Sequence, residues 1–193
     1  MTWLALIRHA PTEWNGQGRL QGRRDPPLDP SAVPNWRVPP ELAGFRWLSS
    51  PLRRAVETAR LIGVTDVAVE PRLTEMDWGD WEGRTLAELR ARLGPALADN
   101  EAAGLDFRPS GGESPRHVQA RLTPLFAELA DAGRATAAIT HKGVIRAVLA
   151  LATGWDMRGK APAPLSWSAA HLFRLDAAGR PSVERLNIGM QRQ

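Results

Sequence analysis

Residues 3–9 read Trp-Leu-Ala-Leu-Ile-Arg-His, a run of apolar side chains that ends abruptly in an arginine and a histidine. Consecutive apolar residues are typical of a strand buried on both faces, as in the middle of a parallel sheet. The segment that follows, up to Pro40, is polar and rich in glycine and proline. Connections of that length are unusual in compact domains and are often functional, so the end of this strand is a candidate site.

The rest of the chain alternates between strand-like and helix-like patterns. Short apolar runs predict strands at 45–48, 66–69, 135–140, 167–175 and 182–186. Apolar residues at helical spacing, together with capping residues, predict helices at 51–62, 86–93, 115–132 and 143–151. This alternation indicates a layered α/β fold. No repeat or linker marks a boundary, so we expect one domain over residues 1–193.

Composition removes several classes of protein. The 193 residues include no cysteine, which excludes disulfides, cysteine-ligated metal sites and cysteine nucleophiles. A net charge of +4 with a pI of about 10.8 does not indicate a nucleic-acid partner, because nearly all the basic residues are arginines that keep their charge at high pH. No segment approaches the ~20 apolar residues of a membrane span, and no signal-peptide pattern opens the chain. We therefore expect a cytoplasmic protein.

Polar side chains follow four of the predicted strands. Arg8 and His9 come directly after the first strand, and His141 comes directly after the fourth. Arg54 lies in the first turn of the helix after the second strand, and Glu75 lies in the loop after the third. Ligands of open α/β sheets bind beyond the carboxyl ends of the strands, so these side chains are candidates for one site. Composition and periodicity do not establish that the four ends meet.

Residues 8–15, Arg-His-Ala-Pro-Thr-Glu-Trp-Asn, resemble the signature of the histidine phosphatase superfamily, also called the phosphoglycerate mutase-like family. Further segments are similar to family blocks and occur in the family's order. They are Arg19, Gln21–Gly22, Asp25 and Leu28; residues 49–55 with Thr58–Ala59; Leu73–Glu75 with Gly79 and Trp81–Gly83; Gly112–Ser114; and Thr140–Gly143. The resemblance covers most of the chain. It implies a three-layer α/β/α sandwich with a mostly parallel central sheet.

The resemblance also implies a reaction, the metal-independent hydrolysis of a small phosphorylated metabolite. His9 would attack phosphorus and become phosphohistidine, while Arg8 and Arg54 clamp the phosphoryl oxygens. His141 would donate a hydrogen bond to the transferring group, and Glu75 would serve as general acid and then general base. Further contacts to phosphate or substrate are expected from Thr12, Asn15, Gln21, Gly22 and Lys142. No cofactor or metal is expected.

Two positions depart from the family pattern and keep other functions open. Ala10 and Lys142 stand where the family usually has glycine. A non-catalytic phosphate-binding or protein-binding module on the same fold is therefore one alternative. A phosphoglycerate mutase is another, although mutases of the family carry a longer insertion between the acid and the second histidine, and the short segment here favours hydrolysis. The substrate and the oligomeric state stay open.

Several other side chains near these motifs have an ordinary structural explanation. His117 and His171 are expected to be structural or exposed on the surface, and Glu82 is expected to be structural. Only the motif spacing selects Arg54 over its neighbour, because helical phase does not separate them. The remaining candidates are expected to anchor a loop or to pack in the core, with substrate steering or a pocket wall as the alternative. They are Arg19, Arg23, Arg24, Trp14, Trp78 and Trp81.

Overall fold

A mixed β-sheet lies at the centre of the structure, a computed structural model that describes residues 1–192. The strands are β1 (Thr2–Arg8), β2 (Trp36–Arg37), β3 (Arg46–Ser49), β4 (Ala68–Val69), β5 (Thr136–Thr140), β6 (Ala169–Leu175), β7 (Pro181–Gly189) and β8 (Gln191–Arg192). Six of them form the central sheet in the order β4-β3-β5-β1-β6-β7. The first four in that order are parallel, and β6 and β7 add an antiparallel edge. The α/β fold with a mostly parallel sheet is confirmed.

Helices cover both faces of this sheet. They are α1 (Glu13–Gly16), α2 (Arg53–Leu61), α3 (Leu86–Leu93), α4 (Pro95–Glu101), α5 (Pro115–Ala132) and α6 (Lys142–Thr153). Single 3-10 turns lie at Pro40–Leu42, Pro71–Leu73, Gly79–Trp81 and Gly104–Asp106. None of the helices within residues 1–192 is both long enough and apolar enough to cross a membrane.

Alternate side chains of β1 enter two separate cores, because successive residues of a strand point to opposite faces. Leu4 and Leu6 belong to the core that contains the apolar faces of α5 and α6. Ala5 and Ile7 belong to the core that contains the apolar face of α2. This burial on both sides explains the continuous apolar run of β1 and gives the layered arrangement that the sequence predicts.

Some elements differ from the sequence predictions for identifiable reasons. The helix predicted from residue 51 begins at Arg53, because the carboxylate of Asp25, from a distant loop, accepts the backbone N–H groups of Arg53 and Arg54. The strand predicted at 66–69 is reduced to two edge residues. The strand predicted at 167–175 begins at Ala169. Helices α1 and α4 and the β2–β8 pair were not predicted, and all of them are short elements of two to seven residues. Such elements carry too few residues for periodicity to reveal them.

Parallel pairing places the two histidines at one edge of the sheet. Arg8 is in register with Thr140, so His9 and His141 follow at the same level. The ladder continues past the assigned strands, since His9 N donates to Thr140 O at 2.9 Å and Ser50 N donates to Ile139 O at 2.9 Å. The carboxyl ends of β1, β3 and β5 therefore meet.

Candidate active site

His9 and His141 form the centre of the site. Their ring centroids are 5.2 Å apart with the planes inclined at 53°. His9 is 4% exposed and His141 is fully buried. Both rings are therefore held at the sheet edge with little access to bulk water.

The backbone fixes the tautomer of His9. Its Nδ1 lies 2.7 Å from Ala10 O, and a carbonyl oxygen only accepts, so Nδ1 carries the proton and Nε2 keeps a free lone pair. Burial lowers the pKa of His9 well below its ordinary value, and the positive charges of Arg54 and Arg8 lower it further. The ring is accordingly neutral near neutral pH, as a nitrogen nucleophile must be.

His141 is held by a serine hydroxyl. Its Nε2 lies 2.7 Å from Ser50 Oγ, and the same oxygen accepts the backbone N–H of Leu52 at 3.3 Å. Burial lowers the pKa of His141 well below the ordinary value, with the charge of Arg54 as the next cause. Among the described residues the Ser50 hydroxyl has no other acceptor, so we infer that it donates to Nε2 of this neutral ring. The proton then lies on Nδ1, which is buried and has no partner within residues 1–192. His141 is thus left with one unused donor beside His9.

Arg54 is a fully buried cation. Its Nη1 donates to Arg24 O at 2.7 Å and to Asp25 Oδ1 at 3.2 Å, and its Nη2 donates to Gly22 O at 2.8 Å. Nε is buried and has no partner within residues 1–192. These bonds use three of the five guanidinium donors, so the Nε–H and one Nη2–H remain free for an anion.

Arg8 is held in a different way. Within residues 1–192, its guanidinium makes no hydrogen bond to the protein, and its buried Nε has no partner. Its Cζ lies 5.8 Å from the ring centroid of Trp167, which is within cation–π range. All donors of Arg8 are therefore unused by the protein.

Glu75 is buried, and backbone amides hold its carboxyl group. Oε1 accepts from Met76 N at 2.8 Å, and Oε2 accepts from Gly143 N at 3.2 Å. Burial raises the pKa of Glu75 above its ordinary value; these amides and the charges of Arg54 and Arg8 act in the opposite direction. A carboxyl group with a raised pKa holds its proton closer to neutrality, which suits a general acid.

Two side chains fix the backbone that leads to Glu75. Thr140 Oγ1 donates to Leu73 O at 2.8 Å, and Arg121 Nη2 donates to Thr74 O at 2.6 Å. Arg121 also donates to the carbonyl of Arg72. The end of β5 and helix α5 therefore set the position of Glu75.

Arg8, His9, Arg54 and Glu75 line a cavity of about 440 Å³, whereas His141 packs against His9 and is not among its lining residues. Of the residues that the sequence analysis assigned to phosphate or substrate contact, Asn15, Gln21, Gly22 and Lys142 line it. Thr12 does not: it is buried beneath Asn15, and its hydroxyl and backbone N–H donate to Asn15 Oδ1 at 3.1 and 3.0 Å. Thr12, the N-cap residue of the short helix α1, therefore orients Asn15 and is not among the residues that line the cavity.

The two departures from the family's glycines fit the backbone without strain. Among the described residues, the non-glycine residues with positive φ are Met157 and Asn187, so neither Ala10 nor Lys142 adopts a conformation that requires glycine. The methyl group of Ala10 is buried in the core that contains α2, and its N–H donates to Thr58 Oγ1 at 2.8 Å. Lys142 opens α6, and its Nζ lies 5.3 Å from the Trp167 ring centroid.

Several side chains of the cavity wall were not predicted. Phe107 makes edge contacts with Trp78 and Trp81, each at 5.6 Å between centroids, and all three rings line the cavity. Arg146 and Met157 line it as well. Phe107 and Met157 come from irregular segments without a motif, so no sequence signal marked them. Arg146 lies one turn after Lys142 on α6, so its helical position places it on the same face as a predicted site residue and is a signal that was available in the sequence.

The predicted structural roles near the cavity are consistent with the contacts. Glu82 accepts the backbone N–H groups of Arg23 at 2.7 Å and Arg24 at 3.2 Å, so it organises the long loop. Arg19 donates to Gly83 O at 2.6 Å and thus anchors the loop, although it also lines the cavity. The Arg23 side chain pairs with Asp77 and Glu113 and lies outside the cavity wall. Trp78 and Trp81 both pack in a core cluster and line the cavity.

The two remaining histidines lie away from the cavity wall. His117 is exposed on α5 and caps the helix through Ser114. His171 is buried on β6, and its Nδ1 accepts Asn187 N at 3.3 Å. Among residues 1–192, no group of three or more His, Asp or Glu side chains is arranged to hold a metal ion.

Comparison with known proteins agrees with this geometry. The sequence profile of the histidine phosphatase superfamily (branch 1) matches residues 4–188. The chain belongs to this superfamily. Within the superfamily, the chain is similar to the glucosyl-3-phosphoglycerate phosphatase of Mycobacterium tuberculosis, with 35% identity over 165 residues that cover 76% of this chain and 73% of that protein.

Other superfamily members resemble the chain over nearly their whole length. The 2,3-bisphosphoglycerate-dependent phosphoglycerate mutase of Azorhizobium caulinodans is 30% identical over 198 residues, which cover 94% of this chain and 96% of that protein. The solved structure of Bacillus stearothermophilus YhfR superposes with a TM-score of 0.82 at 26% identity and covers 95% of each chain. The protein is thus an enzyme of a superfamily in which its relatives include phosphatases and mutases.

Proposed function

We propose that the protein hydrolyses the phosphomonoester of a small metabolite through a phosphohistidine on His9. One observation carries the proposal. Within residues 1–192, five buried side-chain atoms have no hydrogen-bond partner, and four of them belong to residues at this site. They are Arg8 Nε, Gln21 Oε1, Arg54 Nε and His141 Nδ1. Buried polar groups are rarely left unpaired without a reason, and a phosphoryl group brings acceptor oxygens to the two arginines and to His141.

The first step forms the covalent intermediate. Nε2 of neutral His9 attacks phosphorus with its lone pair as the bond from phosphorus to the ester oxygen breaks. The departing oxygen takes the proton of Glu75 and leaves as an alcohol. Arg8 and Arg54 neutralise the phosphoryl oxygens, and the Nδ1–H of His141 donates to one of them as charge shifts in the transition state.

The second step releases phosphate. A water molecule attacks the phosphorus of phospho-His9, and the carboxylate of Glu75 accepts its proton. The P–N bond breaks, the electron pair returns to Nε2, and inorganic phosphate leaves. Each group thus ends in its starting protonation state, and the cycle needs no metal ion.

The mutase alternative rests on the similarity to a phosphoglycerate mutase over nearly the whole of both chains. It makes a different kinetic prediction, because a mutase returns the phosphoryl group to a second substrate. The non-catalytic alternative has less support, because Ala10 and Lys142, the two departures from the family pattern, both have unstrained backbone conformations.

The experiment compares wild type with His9→Ala in the presence of EDTA. Substrates are p-nitrophenyl phosphate and a panel of metabolite phosphates that includes phosphoglycerates, with and without a bisphosphoglycerate primer. We expect primer-independent phosphate release by wild type, an acid-labile phosphoprotein on rapid quench, and loss of both in His9→Ala. Primer-dependent interconversion of phosphoglycerates would establish the mutase instead. Phosphate binding without turnover of any substrate would establish the binding module.

A further inference from the structure

The two arginines at the site are positioned by different physical means. Arg54 is fixed by hydrogen bonds to two carbonyl oxygens and one carboxylate. Arg8 has no hydrogen-bond acceptor in the described part of the protein, yet a clamp on a phosphoryl group needs both guanidinium groups in place. Some other contact must therefore restrict Arg8.

Trp167 is the side chain that provides such a contact. Its ring centroid lies 5.8 Å from Arg8 Cζ and 5.3 Å from Lys142 Nζ. An indole attracts cations at these distances and is the strongest of the aromatic side chains in this role. The ring is half-buried and packs against the core that contains the apolar faces of α5 and α6, so its own position is restricted.

The segment before Trp167 is attached to the sheet by Asn187. The side chain of Asn187 accepts Ser166 N at 2.7 Å and donates to Pro164 O at 2.9 Å. Asn187 itself has φ +60°, a left-handed conformation that asparagine tolerates better than most residues. Its backbone N–H reaches His171 Nδ1 at 3.3 Å.

This attachment lies at an irregularity of the sheet. The pairing of β6 with β7 shifts register between Ala170 and Leu172, across His171. Such irregularities redirect side chains and are frequent next to active sites. Asn187 lies at this irregularity and holds residues 164–166 by its side chain. It therefore fixes the backbone that leads into Trp167.

We propose that Trp167 is a positioning residue, whose indole ring holds the guanidinium of Arg8 ready for a phosphoryl group and keeps Lys142 beside it. The proposal rests on the phosphoryl-clamping role of Arg8 in the proposed function. The second cation adds positive charge next to Arg8, and the shared ring stabilises the two like charges side by side. Loss of the ring would therefore leave Arg8 both unrestrained and repelled by Lys142.

The chain offers a matched control in the same irregular segment. Trp155 lies 5.2 Å from Arg146 in the same kind of contact, and its Nε1 donates to Arg158 O at 3.0 Å. It is half-buried like Trp167 but does not contact Arg8. A general loosening of the segment would affect variants of both tryptophans, whereas the proposed role concerns Trp167 alone.

The test measures binding of orthovanadate and of inorganic phosphate, together with kcat and KM, for wild type, Trp167→Leu, Trp167→Phe and Trp155→Leu. Leucine keeps apolar bulk but removes the π face. We expect Trp167→Leu to weaken orthovanadate binding by about 3- to 30-fold and to lower kcat with a similar thermal midpoint. Trp167→Phe should restore most of the loss. Trp155→Leu releases Arg146, a cation of the cavity wall that is not part of the phosphoryl clamp, so it should keep wild-type orthovanadate binding even where the KM of a larger substrate changes.

Three results would overturn the proposal: unchanged orthovanadate binding in Trp167→Leu, equal losses in Trp155→Leu, or no rescue by phenylalanine. The binding measurement also separates this proposal from the proposed function. A wild-type protein that binds orthovanadate but turns over no phosphomonoester overturns the proposed function. The role of Trp167 is then still decided by orthovanadate binding of the tryptophan variants. A wild-type protein that binds neither anion overturns both.

Discussion

Ser50 Oγ lies 2.7 Å from Nε2 of His141, and this contact determines which ring nitrogen of the histidine carries the proton. The hydroxyl is fully buried and also accepts Leu52 N. Its proton has no acceptor among the described residues other than this ring nitrogen, so the hydroxyl donates to Nε2. The tautomer of His141 is set by a residue that lies outside the cavity wall.

Substitution Ser50→Ala should lower kcat by about 10- to 100-fold. Without the hydroxyl, the ring can place its proton on Nε2 and lose the donor at Nδ1. Ser49→Ala is the matched control, because Ser49 is equally buried and its hydroxyl donates only to Ser50 O at 2.9 Å. Steady-state kinetics on both variants, with circular dichroism to check folding, decide the point. Equal activities would show that Ser50 does not set the tautomer.

Gly143→Ala should impair catalysis by displacing Glu75. A Cβ at this position would lie 2.4 Å from Glu75 Oε1, so the carboxyl group must move from its place. We expect kcat to fall by about 10- to 100-fold while the helix itself is retained. Gly16→Ala serves as the control, since nothing lies within 4 Å of a Cβ there. A fully active Gly143→Ala enzyme would argue against Glu75 as the acid.

Arg54→Lys should reduce kcat/KM by roughly 100-fold or more. A single ammonium cannot satisfy Arg24 O, Gly22 O and Asp25 while also presenting two donors to a phosphoryl group. The thermal midpoint should fall as well, because buried acceptors lose their donors. The neighbouring Arg53→Lys is the control, since that side chain is 66% exposed and pairs only with Glu57 at the surface. Similar kinetics for the two variants would refute the assignment of Arg54.

The raised pKa of Glu75 has a kinetic consequence. The rate of the first step should fall as pH rises through that pKa, because the carboxyl group loses the proton that the departing alcohol needs. Glu75→Gln should remove this alkaline limb. Its loss of rate should be larger for alkyl phosphates than for p-nitrophenyl phosphate, whose leaving group needs little protonation. Equal losses on both substrates in pH-dependent kinetics would exclude general-acid catalysis by Glu75.

His171 should make the fold sensitive to acid. Burial lowers the pKa of this histidine from its ordinary value of 6.5 to about 4, so the unfolded chain takes up a proton in a range where the folded chain does not. The associated stability is present above pH 6.5 and is lost as pH falls toward 4, at up to about 1.4 kcal/mol of unfolding free energy per pH unit. His171→Asn should flatten this dependence in urea titrations at about pH 7 and about pH 4.5. A parallel dependence in both proteins would contradict the assignment.

The sequence was sufficient to predict that the central side chains lie together, because strand ends and motif spacing coincide there. Arg8, His9 and His141 follow apolar strands whose parallel pairing leaves little freedom in where their side chains emerge. Arg54 and Glu75 were found from the motif spacing of the family, since their local patterns do not distinguish them from neighbouring charged residues.

The cavity wall was less predictable because tertiary packing, not local pattern, places its residues. Phe107 lies in an irregular segment without a motif, and Trp167 was predicted as the first residue of a strand that begins in the structure only at Ala169. Their roles depend on contacts between distant segments of the chain. Trp78 packs against Phe107, and Arg8 lies against Trp167. Thr12 was assigned to the cavity from its motif alone, and the four-residue helix that it caps gives no recognisable signal in sequence.

Arg54 is held by the carbonyl oxygens of Gly22 and Arg24, which belong to a long loop, and the same hydrogen bonds hold the loop against Arg54. Between α1 and β2 this loop has no helix and no paired strand beyond isolated bridges, so it can open locally at a lower free energy than the sheet. Opening would free the guanidinium that it clamps. Enzymatic turnover should therefore disappear at lower urea concentrations than the circular dichroism of the sheet, which makes activity an early reporter of unfolding.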